Sequence, residues 1–374
     1  MALEVLSLPA EPRAGFHREP IRFFLPGPSY VLAWVREALT GPVVAHRSAS
    51  FKAVYASVAE RLREVFRTEG EVYTAVGSAT LVMESAILSL VPRRVLHLTN
   101  GAFSERWHAI SLAVGREADR LSVPWGEAVD PDLVRAALAR GRYDAVALAH
   151  SETATGVLNP LAEIARVVRE HSDTLVLVDA VSSLGGTPVE TDAWGLDLVL
   201  AGVQKGLAAP PGLTAFTFSE RAAAQAATIA HRGFYTDLLR YRDYHRTTGS
   251  TITTAAVSLF YALERQLGLL AEEGVERRFE RHATLRQMTE RFAAETGLVY
   301  ASKSGPPSPT VSCLRPPAEL PARRLVERLA EQGITVGSGY GEWKESTFRI
   351  GHMGEVQPTD LEALFSSIHS ILGH

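Results

Sequence analysis

Lys205 sits where an apolar run gives way to a turn rich in glycine and proline, in AGVQKGLAAPPG (201–212). An amine at the end of a buried strand is partly desolvated, which lowers its pKa toward the range of a nucleophile or base and makes this lysine a Schiff-base candidate. The competing reading is a surface lysine in a loop. Asp179 closes TLVLVDA (174–180), a run that is otherwise apolar. A carboxylate there needs a cation or several hydrogen bonds to offset its desolvation, or it caps the turn AVSSLGG that follows. GSAT (77–80) precedes the helical pattern LVMESAILSLV, so Ser78, Ala79 and Thr80 would bring free N–H groups and hydroxyls to a helix N-terminus. That is a natural seat for a phosphate, although its glycine pattern fits neither a dinucleotide fingerprint nor a P-loop.

These residues need elements to position them, and the pattern supplies them. Short apolar runs, VYTAV (72–76), RVLHLTN (94–100), DAVALAH (144–150), TLVLVDA, DLVLAGV (197–203) and LTAFTF (213–218), alternate with helical stretches. Such alternation implies βαβ units and a mainly parallel sheet covered on both faces. In an open parallel sheet ligands bind beyond the carboxyl ends of the strands. GSAT, HSETAT (150–155), Asp179 and Gln204-Lys205 all occupy such ends.

After about residue 250 the texture changes to long helices, PTVSCLR, ARRLVERLAEQG, ITVGSG and a closing helix, which reads as a separate α+β lobe. The expected division is an arm at 1–21, a large domain at 22–268 and a small domain at 269–374.

The chain has 374 residues, 46% of them hydrophobic, enough for a large core in two lobes. A formal charge of −4 without long single-sign blocks leaves no footprint for nucleic acid or an anionic membrane. One cysteine, Cys313, excludes a disulfide framework and a thiolate zinc cluster within the chain. With no apolar leader and no span-length apolar window, the expected location is the cytoplasm.

A phosphate seat, a carboxylate and a lysine, in that order along a parallel α/β domain, are the groups pyridoxal phosphate requires. LAHSETATGVLNPL, VDAVSSLGGTPVETD and GVQKGLAAPPG together resemble the class V aminotransferases, fold type I pyridoxal-phosphate enzymes, and most of all the alanine:glyoxylate and serine:pyruvate or serine:glyoxylate branch. The likeness runs from LPGPSYV (25–31) to FRIGHMG (348–354).

The resemblance implies an α/β/α sandwich around a mainly parallel seven-stranded sheet, plus a small α+β domain. It makes Lys205 the Schiff-base lysine and Asp179 the partner of the pyridine nitrogen. Ser78, Ala79, Thr80 and Gln204 fall at the phosphate, Phe103 on the ring face and Thr153 near the ring hydroxyl. Arg349 is implied as the grip on the substrate α-carboxylate, a task that suits a planar guanidinium. Thr253, in the run of Ser250, Thr251, Thr253 and Thr254, is implied to reach the neighbouring subunit's phosphate, so a homodimer with shared sites is expected.

The implied reaction is transfer of an amino group from a small L-amino acid of the alanine or serine type to a 2-oxo acid such as glyoxylate or pyruvate. An alternative is phosphoserine:2-oxoglutarate transamination with His46 and Arg47 on the substrate phosphate; against it, both residues could cap the helix beginning near Ser50. A cysteine desulfurase would need its cysteine on a mobile loop, whereas Cys313 lies in an alternating strand. A non-catalytic binding module would not need lysine, aspartate and arginine together.

Overall fold

The computed structural model describes residues 19–171 and 173–373, so most of the expected N-terminal arm lies outside the described residues. In chain order the strands are β1 (Phe23–Phe24), β2 (Val72–Val76), β3 (Arg94–Thr99), β4 (Glu117–Ser122), β5 (Ala145–Ala149), β6 (Ser151–Glu152), β7 (Val157–Leu158), β8 (Leu175–Asp179), β9 (Leu198–Gly202), β10 (Leu213–Phe218), β11 (Val299–Tyr300), β12 (Val311–Arg315), β13 (Thr335–Ser338) and β14 (Phe348–Gly351). The first four helices are α1 (Ala33–Glu37), α2 (Ala49–Phe66), α3 (Ala79–Leu90) and α4 (Ala102–Ala113).

Seven strands form the main sheet in the order β2-β10-β9-β8-β5-β3-β4. All its pairings are parallel except those of β10, which runs antiparallel to both neighbours. The continuous apolar runs follow from burial on both faces. Val146, Leu148, Val176, Val178 and Val199 face one core with α2, while Ala147, Leu175, Leu177, Leu198 and Leu200 face the other with α3.

A second sheet, β1-β13-β14-β12-β11, packs against the helices Val275–Thr296, Ala322–Glu331 and Pro358–Leu372. Its core includes Phe24, Leu285, Leu325, Ile350 and Leu364. Phe23–Phe24 pairs in parallel with Thr335–Val336. The chain therefore contributes a strand to the smaller lobe before entering the larger one, where the sequence reading had put residues from 22 onward. Two residues are too few to declare their partner by periodicity. No helix among the described residues is long and apolar enough to cross a membrane.

Candidate active site

Strands β5, β8 and β9 run in parallel, so their carboxyl ends open on one edge, with Ala149 beside Asp179 and Asp179 beside Leu200. The chain leaves β9 through Val203 and Gln204 to Lys205, which is buried. Its Nζ donates to Ser182 Oγ at 3.2 Å and Thr153 Oγ1 at 3.4 Å, and those two hydroxyls also bond to each other. Nζ lies 5.5 Å from the centroid of the Phe103 ring. Burial pulls the Lys205 amine down to about 8, against the opposing pull of the Asp179 charge.

Asp179 is also buried, and burial pushes its carboxyl up to about 6. Oδ1 accepts the Val181 N–H at 2.8 Å, the turn-capping bond expected at a strand end. That bond uses one oxygen only. Among the described residues no ion pair closes between Asp179 and Lys205. Acid and amine thus share a dry region and feel each other's charge without touching.

Ser78 is the N-cap of α3, yet its hydroxyl makes no capping bond. The amides of Ala79 and Thr80 open the helix and have no intrahelical acceptor. Gln204 folds over Gly202, where an added Cβ would lie 2.7 Å from its Oε1, and its carbonyl accepts the Ser29 N–H.

Arg349 comes from the smaller lobe on β14 and reaches the same place. Its Nε donates to Ser338 O at 2.9 Å and its Nη1 to Thr153 O at 3.1 Å, so the guanidinium is pinned on both lobes. Lys205, Asp179, Phe103, Thr153 and Arg349 therefore converge.

His46, Arg47 and Thr253 do not join them within one chain. The His46 carbonyl accepts from Ser250 Oγ at 2.7 Å, and Thr251 Oγ1 donates to the Thr253 carbonyl, so the two loops are tied to each other. Ser48, not His46 or Arg47, caps α2 by accepting the Phe51 N–H. Cys313 is buried in β12 opposite Arg349, its thiol pushed up by burial, as expected of a packing residue.

Sequence reasoning missed four groups. Glu152 is wholly buried and accepts the backbone N–H groups of Phe103, Ser104 and Ala154, tying α4 to the Thr153 segment. Burial pushes its carboxyl up while those bonds pull it back. The available signal was an acid inside HSETAT, directly after an apolar strand. Ser182 holds Lys205 Nζ from the turn after Asp179. Gly27, at φ +127°, leaves the space taken by the lysine stem, since a Cβ there would lie 2.4 Å from Lys205 Cε. Tyr340 stacks on Phe103 with centroids 5.3 Å apart.

The sequence profile described as Aminotransferase class-V matches residues 39–343. An uncharacterized aminotransferase of Methanocaldococcus jannaschii is 38% identical, with 88% of this chain and 87% of that protein covered. Serine–glyoxylate aminotransferase of Methylorubrum extorquens is 30% identical, over 90% of this chain and 87% of its own length. The crystal structure of alanine–glyoxylate aminotransferase from Nostoc sp. superposes with a TM-score of 0.88 at 30% identity, covering 96% of this chain and 98% of that one.

The chain belongs to the class V aminotransferases. It is a pyridoxal-phosphate-dependent aminotransferase of fold type I. The residues present fit that cofactor: an uncommitted hydroxyl and free amides at the α3 N-terminus, an acid with one oxygen spent, a depressed amine and an aromatic face beside it.

Proposed function

We propose that this enzyme moves the amino group of a small L-amino acid, of the alanine or serine type, to a 2-oxo acid such as glyoxylate or pyruvate. The observation carrying the site assignment is the Lys205 amine, buried and depressed, held by Thr153 and Ser182 beside Phe103, with Asp179 in the same dry region. The substrate activities named for the serine–glyoxylate and alanine–glyoxylate relatives support the choice of substrates.

When bound, pyridoxal phosphate supplies the aldehyde that takes up the amino group and the ring that accepts the electron pair released at Cα. In this reading Lys205 holds the cofactor and, once displaced, takes the proton from the substrate Cα; an amine titrating near 8 is suited to that exchange. Thr153 and Ser182 orient Nζ. Asp179 would hold the pyridine nitrogen and favour its protonated form. Ser78, Ala79, Thr80 and Gln204 receive the phosphate, Phe103 covers the ring, and Arg349 takes the α-carboxylate with the N–H groups that Ser338 and Thr153 leave over.

Thr253 and the His46-Arg47 loop, tied together through Ser250, serve the neighbouring subunit's site in a homodimer. The lobes divide near residue 269, and the enzyme works in the cytoplasm. Arg47 is exposed and forms no ion pair among the described residues, which keeps phosphoserine as a second reading. Turnover of phosphoserine with 2-oxoglutarate, set against alanine or serine with glyoxylate, separates the two, and tight saturation by phosphoserine overturns the first. Lys205→Ala is expected to remove both the visible absorbance near ~410–430 nm and turnover; normal activity in that variant refutes the assignment.

A further inference from the structure

Tyr340 belongs to the loop joining β13 to β14, the strand that carries Arg349. Its carbonyl accepts the Trp343 N–H at 3.0 Å, and the Gly339 N–H bonds the Thr347 carbonyl at 2.9 Å, which closes the loop on itself. Trp343 meets Trp125 edge to face at 5.7 Å, and Trp125 Nε1 donates to Glu105 of α4 at 3.0 Å, which fastens the loop to the larger lobe. Gly341, at φ +51°, has no room for a side chain, because a Cβ would lie 2.6 Å from Trp125 Cη2. The loop is therefore held in place on both sides of the tyrosine.

The ring itself is braced three ways. It stacks on Phe103 at an interplanar angle of 28°, the Arg349 Cζ lies 5.4 Å from its centroid, and its hydroxyl accepts from Arg106 Nη2 at 3.2 Å. Nothing in the reaction as read above uses it. Yet it stands between the aromatic beside the lysine and the arginine for the α-carboxylate, the two groups between which a substrate Cα must sit.

We propose that Tyr340 sets the ceiling on substrate side-chain size: its braced ring fills the space into which a longer side chain would extend, leaving room for a methyl or hydroxymethyl group. The inference rests on the transaminase reading and adds the residue that would confine that site to small substrates. An aromatic ring held by stacking, a guanidinium and a hydroxyl bond cannot swing aside as a lone exposed tyrosine would. Each added methylene that a pocket rejects or accepts changes kcat/KM by roughly 10–200-fold.

The test compares holoenzyme with L-alanine and L-norvaline as donors and glyoxylate as acceptor. In Tyr340→Ala the norvaline-to-alanine ratio of kcat/KM is expected to rise at least about tenfold. Tyr340→Phe, which keeps the ring, is expected to stay within about twofold of the wild-type ratio. Tyr340→Leu carries the same comparison if the alanine variant does not fold.

A ratio that stays put when the ring is removed overturns the proposal. So does a phenylalanine variant that shifts as far as alanine, or a wild type that prefers norvaline. A coloured wild type bleached by alanine, with an unmoved ratio in the variants, sinks this inference alone. A colourless wild type inactive with every donor sinks the transaminase reading, and this inference with it.

Discussion

Replacing Glu152 tests whether one buried carboxylate organises the two walls of the site. Its oxygens accept the N–H groups of Phe103, Ser104 and Ala154 at 3.0 to 3.2 Å, from the start of α4 and from the segment after β6. In Glu152→Ala those three N–H groups, and the Ser104 hydroxyl that also donates to Glu152, lose their acceptor in a region that is buried at Ser104 and Ala154 and half-buried at Phe103. A buried donor left unpaired costs about 1–3 kcal/mol. The three share one partner and are not additive, so a loss of about 3–6 kcal/mol is expected.

At about 1.3 °C per kcal/mol for a chain of this size, the thermal midpoint should fall by roughly 4–8 °C. Glu152→Gln keeps one acceptor oxygen but turns an NH2 group on the remaining donors, so it should fall between wild type and alanine. The measurement is calorimetry at fixed cofactor concentration, with absorbance titration of cofactor into the cofactor-free protein. Weaker cofactor binding should accompany the lower midpoint, because Phe103 and Thr153 lose their common anchor. A Glu152→Ala protein that melts within about 2 °C of wild type and binds cofactor equally well would refute the reasoning.

Other outcomes follow from the same geometry. Arg349→Lys should lower kcat/KM for the amino donor by at least about tenfold through KM, because an ammonium cannot hold Ser338 O, Thr153 O and a carboxylate in one plane; steady-state kinetics check this. Asp179→Asn should weaken cofactor binding and slow turnover, read by absorbance titration and single-turnover rates, whereas Asp179→Glu should restore part of both. Gly27→Ala should displace the lysine stem and slow cofactor attachment, visible as a slower rise of absorbance when cofactor is added.

The Lys205 amine titrates near 8 when folded, below its ordinary value of 10.5. Between those values the unfolded chain binds a proton that the folded one does not, so this group makes the cofactor-free protein more stable as pH rises from about 8 toward 10.5. Denaturation midpoints across that range should rise in wild type relative to Lys205→Met.

Much of the architecture was legible because both-faced burial writes itself as continuous apolar runs, as in TLVLVDA for β8 and DLVLAGV for β9. Lys205, Asp179 and the α3 N-terminus stand out in the sequence because they lie at strand ends, where such runs stop. Strand β4 was not legible: EADRLS sits at the sheet edge with no side chain fully buried, where charge guards an open edge and erases the hydrophobic signal. The partners that cross between lobes were equally hidden. Tyr340 meets Arg106 across 234 residues, and Glu152 meets Ser104 across 48, and no local pattern reports which distant side chains converge. The alternative of a capping role for His46 and Arg47 fails because Ser48 beside them is the better acceptor and caps α2.

The bond from Arg349 to the Thr153 carbonyl joins the smaller lobe to the larger beside the Lys205 amine. If Arg349 takes the substrate carboxylate as proposed, its guanidinium is ordered at folding and an arriving carboxylate does not have to order it. Any swing that parts the lobes must first break this tie, and on the proposed role it would carry the positive group away from its anion. On that role, unlatching and release of the product acid would be one movement.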